Sequence, residues 1–137
     1  DCQFVHYNLL RTKEQYGPRA MDTVQVGAYG RKDLARPTEV DLAEARRAAE
    51  QAAVQLRREG ELAFYYHGPS LSMVTIGVFD SEDFDPQTPK LMSARVREAM
   101  KRYPNNLYNG KGVLRRGPDT GPEGRLQSSA LVIIPEK

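Results

Sequence analysis

The run "RPTEVDLAEARRAAEQAAVQLRREG" is long enough for one substantial helix and carries a stripe shaped to lie on a sheet. Leu42, Ala45, Ala49, Ala52 or Ala53, and Leu56 recur at steps of three and four residues, while Arg and Glu fill the remaining positions. The helix opens on a capping signature, in which Thr38 accepts from the amide near Asp41 and Asp41 reaches back. Gly60 is a natural terminator.

Strand-like segments flank this helix. "DTVQVGAYG" alternates from Asp22 to Tyr29, with Val24 and Val26 on one side and Gln25, Gly27 and Tyr29 on the other. After the helix, "ELAFYYHG" and "LSMVTIGVF" enclose a "GPS" turn and read as a hairpin. Thr88 and Pro89 fit an N-cap and a first-turn proline, predicting a second helix from about Pro89 to Tyr103, where Pro104 stops it. "SSALVIIPEK" has the composition of a buried strand ended by Pro135. The order β, α, β, β, α, β is met most simply by a ferredoxin-like α+β fold with both helices on one face of an antiparallel sheet. Val24, Val26, Leu42, Leu56, Ile76, Val78, Val96 and Met100 are its expected core.

At 137 residues the chain is read as an N-terminal arm, 1–21, followed by one domain, 22–137. Residues 104–127, rich in Gly, Pro and Asn, form a long insertion before the last strand, expected to act as a mobile flap or adaptor beside the sheet. Twenty Lys and Arg against 18 Asp and Glu lack the basic excess of a protein held mainly by nucleic-acid phosphates. With Cys2 as the single cysteine, neither an internal disulfide nor a multi-cysteine metal site is available. No apolar run has the length of a membrane span. The first residue is Asp1, so the sequence is read as a fragment whose targeting segment or membrane anchor would lie upstream.

Three of these pieces, "TVQVGAYG", the helix ending "AAVQLRREG" before "ELAFYY", and "VTIGVFDSED", together resemble the SPOR (sporulation-related repeat) domains of bacterial cell-envelope proteins. They cover most of residues 22–103 in the family's order. The resemblance implies a noncatalytic module on the periplasmic side of the envelope. It also implies binding of peptidoglycan glycan strands, particularly those stripped of stem peptides, on the open face of the sheet.

The residues make a physical case beside it. The Gln25 amide donates and accepts at once, which suits sugar hydroxyls and N-acetyl groups. Gly27 leaves room for an extended ligand to approach the backbone. Tyr29 and Tyr65 offer flat apolar faces with a polar tip, and strict alternation adds His67 and Thr75 to the same face. An RNA-binding or protein-interaction module on the same scaffold is the alternative, because exposed aromatics also stack bases. The basic-aromatic string of an RNA-recognition sheet is missing, with Thr75 and Gly77 in its place.

Other constellations carry less. A Cys2–His pair with His6 or His67 needs a contact nothing in the sequence predicts, and no enzyme, cofactor or metal is expected. The cluster Asp80, Glu82, Asp83 and Asp85 lacks the Gly and Glu of a calcium loop and reads as a solvated turn favouring the start of the second helix. Lys111, Arg115 and Arg116 read as a solvated loop able to meet anionic wall polymers.

Overall fold

The computed structural model describes residues 2–33 and 35–136, with side chains from Val5 onward, so the Cys2–His pairing weighed from the sequence lies outside the described side chains. The architecture is mixed α+β. Helices α1 (Thr12–Tyr16), α2 (Glu39–Arg58) and α3 (Ala94–Arg102) accompany a sheet of β1 (Asp22–Tyr29), β2 (Ala63–His67), β3 (Ser72–Phe79), β4 (Leu107–Tyr108) and β7 (Ala130–Ile133). Strands β5 (Leu114–Arg115) and β6 (Arg125–Leu126) pair separately.

The sheet runs β2, β3, β1 and then divides. On the outer edge of β1, β7 pairs antiparallel along Asp22 to Gln25, and β4 pairs parallel at Gly27 and Ala28. The position expected for a single last strand is thus shared by two short ones. One of them comes from the insertion expected to stay beside the sheet.

Helix α2 begins as its local sequence dictates. Thr38 Oγ1 accepts from the Asp41 amide at 3.1 Å, and Asp41 Oδ2 accepts from the Thr38 amide at 2.8 Å. Two of its three buried alanines, Ala49 and Ala53, share one cluster with Val24, Val74 and Ile76 of the sheet and with Val96 and Ala99 of α3. Both helices therefore lie on one face. Val24, Val26, Ile76 and Val96 are buried as expected, while Leu56 and Met100 are partly buried against the cluster. Leu42 is only half-buried. Val78 turns to the opposite face, because Gly77, at φ +80°, breaks the alternation of β3 and brings Phe79 to the helices instead.

The opposite face is not open at its β2 end. Phe64 and Leu9 are both fully buried there, together with Ala20 and Ile134. The arm reaches this position through two 3-10 turns, Cys2–Tyr7 and Leu9–Arg11, and Asn8 forms a parallel bridge with Tyr65 at the edge of β2. The Arg57 guanidinium lies 3.9 Å above the Tyr7 ring and 5.0 Å from the Phe64 ring, and its Nε donates to the Ala63 carbonyl at 2.7 Å. The expectation of an uncovered face is corrected by this packing. Its cause is that β2 is apolar on both sides, Ala63 and Tyr65 facing the helices while Phe64 needs cover from below.

The second long helix also starts later than Thr88 and Pro89 suggest. Ser93 is its N-cap, accepting from the Val96 amide at 3.3 Å, and Thr88 instead accepts from the Leu91 amide in a turn. Asp83 holds the segment back. Its Oδ2 accepts from the Asp80 amide and from Arg95 Nη1, both at 3.0 Å, and its carbonyl accepts from the Ser93 amide at 2.8 Å. This carboxylate is buried rather than simply solvated. Burial raises its pKa, but the Asp80 amide, Ser93 and Arg95 outweigh burial and hold it below the usual carboxylate range.

Two outcomes follow. Leu9→Ala should destabilise the protein by about 2–5 kcal/mol in urea unfolding, through lost burial and a cavity; an unchanged midpoint would show that the arm lies outside the core. Because the Asp83 pKa is depressed on folding, its contribution is present above the unfolded value of about 3.9 and fades as pH falls through the folded value. The stability gap between the parent and Asp83→Asn should therefore be widest above about pH 5 and narrow in acid. A gap independent of pH would contradict the role given to this carboxylate.

Candidate functional site

The six residues expected on one binding face are dispersed. Gln25 and Thr75 are direct partners across β1 and β3. Thr75 is fully buried and its hydroxyl has no partner among the described residues, while the Gln25 amide nitrogen donates to Asn106 Oδ1 at 3.5 Å. Beside Gly27 runs β4, with the Leu107 carbonyl 3.6 Å from where a Cβ would sit, so the chain itself occupies the space assigned to a ligand. Between Gln25 and Gly27 the pairing with β3 slips by one residue, and Tyr29 comes to pack on the helix side. Tyr65 is buried in the helix-side core.

His67 stacks on Tyr65, with ring centroids 4.9 Å apart. Its Nδ1 and Nε2 each lie 2.8 Å from a partner, Ser72 Oγ and Glu50 Oε2 respectively. A serine, a histidine and a carboxylate in a row invite a nucleophile reading. Ser72, however, is 2% exposed and lines neither cleft described below. The row serves as a polar pin between α2 and the hairpin.

One expected residue does reach a cleft. About 520 Å³ of space opens where β1 ends, bounded by Tyr29, Arg31 and Lys32 on one side, by Glu44 of α2, and by Tyr108 of β4 and Lys111 just after it. A second space of about 490 Å³ shares Arg31, Lys32 and Asp41 with it and continues toward Thr38. Together they make a groove with two lobes.

The wall beyond β4 is built by a tight turn. Asn109 and Gly110 have φ of +50° and +81°, and the Tyr108 amide donates to the Lys111 carbonyl at 2.8 Å. The Asn109 side chain accepts from the Gly30 amide and donates to the Gly30 carbonyl, both at 3.1 Å, and the Asn109 amide donates to Ala28 at 2.9 Å. Tyr108 donates its hydroxyl proton to the Arg31 carbonyl at 2.6 Å. A Cβ at Gly30 would press on the Tyr108 hydroxyl and the Leu71 side chain, so these would have to shift.

Some polar groups of the cleft are already committed. Arg31 Nε meets Asp33 at 2.9 Å, and its Nη1 donates to the Arg36 carbonyl at 3.2 Å and lies 3.6 Å from Asp41. Burial raises the phenol pKa of Tyr29, and burial with the nearby Asp33 charge does the same for Tyr108, so both rings stay neutral donors. Among the described residues, the Tyr29 hydroxyl and the side chains of Lys32, Glu44 and Lys111 make no hydrogen bond or ion pair. Sequence reasoning placed Tyr108 and Lys111 in a mobile flap and overlooked Asn109 and Glu44. The Asn-Gly pair in "LYNGKG" is the signal that marks the turn.

Compared with protein-family models, curated proteins and solved structures, the chain finds no match. Among the described residues, no group of three or more His, Cys, Asp or Glu side chains is placed to hold a metal ion, and no helix is long and apolar enough to cross a membrane.

Gly30→Ala should displace Tyr108 and release the Asn109 turn. Hydrogen exchange is expected to show the Asn109 amide losing protection while β2 and β3 keep theirs. Parental protection at Asn109 in this variant would mean that the close packing at Gly30 does not hold the turn.

Proposed function

We propose that the chain is a noncatalytic carbohydrate-binding module of the SPOR kind, acting on peptidoglycan glycan strands in the bacterial cell envelope through the groove at the end of β1. With β7 read as the fourth strand, the antiparallel order β7, β1, β3, β2 and the two helices on one face support a ferredoxin-like core, with β4, β5 and β6 as an insertion. The observation that carries the functional reading is the meeting of two neutral tyrosines with uncommitted donors and acceptors in a two-lobed groove. A sugar ring presents an apolar face to such a phenol and hydroxyls to the polar groups around it. Two lobes suit a chain of sugars better than a single one. The burial of Ser72 argues against a nucleophilic role for the row it forms with His67 and Glu50.

An RNA-binding or protein-interaction module remains the second reading, because the same tyrosines can stack bases. The near balance of charge over the whole chain argues against a phosphate backbone as the main partner.

The test is co-sedimentation with purified peptidoglycan, intact and amidase-treated, beside a single-stranded RNA titration. Tyr29→Ala should weaken pelleting roughly tenfold, equivalent to about 1.4 kcal/mol, without unfolding the domain. Gln25→Ala should leave pelleting unchanged, which separates the groove from the sheet face. If the parent associates with neither form of peptidoglycan, the reading is wrong.

A further inference from the structure

We infer that the β5–β6 ribbon carries an anion site of its own, in which Arg115 and Arg125 clasp between them a phosphate of a phosphodiester-linked polyol chain. The site stands apart from the groove at the end of β1 and does not depend on what that groove binds.

Arg115 and Arg125 are direct partners across the two strands, as are Leu114 and Leu126. Side chains alternate between the faces of a ribbon, so the leucines share one face and these two arginines the other. Residues directly opposed in an antiparallel pair hold their Cβ atoms about 5 Å apart, and like charges so placed weaken the pairing. An anion between them removes that penalty. The chain supplies none: among the described residues, neither arginine makes a hydrogen bond or an ion pair. Asp119 and Glu123, the carboxylates of the same segment, lie toward the tip, close to Gly117 and Gly121.

The ribbon is pinned at both ends all the same. At its base the Gln127 amide donates to the Val113 carbonyl at 2.7 Å, and the Asn106 amide donates to the Gln127 carbonyl at 2.9 Å. At its tip Thr120, a buried residue, accepts from the Gly117 amide at 2.8 Å and donates to the Gly117 carbonyl at 3.0 Å. The sequence groups Lys111, Arg115 and Arg116 in one solvated loop, and the fold separates them. Lys111 goes to the cleft, while Arg116 Cγ and Leu114 Cδ1 lie together, 3.0 and 3.1 Å from where a Cβ on Gly124 would sit. Arg125, from the other strand, becomes the partner of Arg115.

The chemistry of the pair selects the ligand. One guanidinium fork already matches both oxygens of a carboxylate, whereas the tetrahedral oxygens of a phosphate point apart and can each meet one of two opposed guanidiniums. Residues 111–127 contain no aromatic side chain, so a nucleic acid would find nothing on which to stack its bases. A lipid surface would seat the half-exposed Leu114 and Leu126 and leave the arginine pair on the far side of the ribbon, facing water. A phosphodiester chain without bases asks only for the arginines. Both are exposed, so a polymer that offers one phosphate after another is held where a single phosphate would exchange freely.

The experiment measures fluorescence anisotropy of a labelled glycerol phosphate oligomer. The parent should bind it in low salt and release it in about 0.5 M salt, where screening acts over a few Å. The double variant Arg115→Gln, Arg125→Gln should bind about tenfold more weakly. A second double variant, Arg46→Gln, Arg47→Gln, removes the same charge from exposed positions of α2 and should keep the parental affinity. Hydrogen exchange at the Gln127 amide reports the ribbon itself: the oligomer should raise its protection in the parent, and the ribbon variant without ligand should protect it at least as well as the parent does. Pelleting with peptidoglycan freed of phosphate should be equal for the parent and the ribbon variant. No binding by the parent, or equal loss in the two double variants, overturns the inference. Tighter binding to an oligouridylate or to phosphatidylglycerol vesicles than to the oligomer overturns the choice of ligand and with it the inference.

Discussion

Strand β1 lies inside the sheet, where its backbone donors and acceptors need partners along both edges. β3 supplies one edge. On the other edge β7 pairs only as far as Gln25, which leaves Gly27 and Ala28 to be met by something else. β4 meets them, running parallel, and the Asn109 amide continues the line by donating to Ala28. Completing β1 thus draws the 107–111 turn to the end of the strand. The far wall of the cleft follows from that requirement.

The slip in pairing at Val26 has a second consequence. An extra residue in one strand exchanges the faces of everything beyond it. Val24 and Val26 both stay with the helix-side core, and Tyr29 arrives on the same side, beside the first half of α2, where it lines the cleft with Glu44. Without the slip, Tyr29 would share the opposite face with Gln25. Gly77 does comparable work in β3, sending Val78 to one cluster and Phe79 to the other.

The open cleft consequently lies at the end of the sheet and not on its lower face. At the β2 side the lower face is closed by Leu9 and by Arg57 lying across Tyr7 and Phe64, and near β1 Gln25 is engaged by Asn106. At these points the chain's own segments cover the face. Where β1 runs out, by contrast, three segments converge without filling the space between them, the usual place for loop-borne side chains to form a site.

The sequence by itself determined the parts of this protein whose causes are local. Thr38 and Asp41 cap one another three residues apart, Gly60 takes the left-handed conformation that ends α2, and the alanine stripe marks the face that packs. The strands of the hairpin and the extent of β1 were legible for the same reason, whereas the slip that breaks the alternation of β1 was not. Only the tertiary structure decided which face each residue joined. Thr88 and Pro89 are a sound helix start in isolation, yet Asp83 meets Arg95 and Ser93 and moves the start to Ala94. Tyr65 and His67 look like surface residues until α2 lies over them, and Gly30 looks like a strand end until Asn109, 79 positions later, clamps it. Capping and periodicity act between neighbours on the chain, whereas register, burial and a cleft depend on contacts whose partners adjoin only after folding.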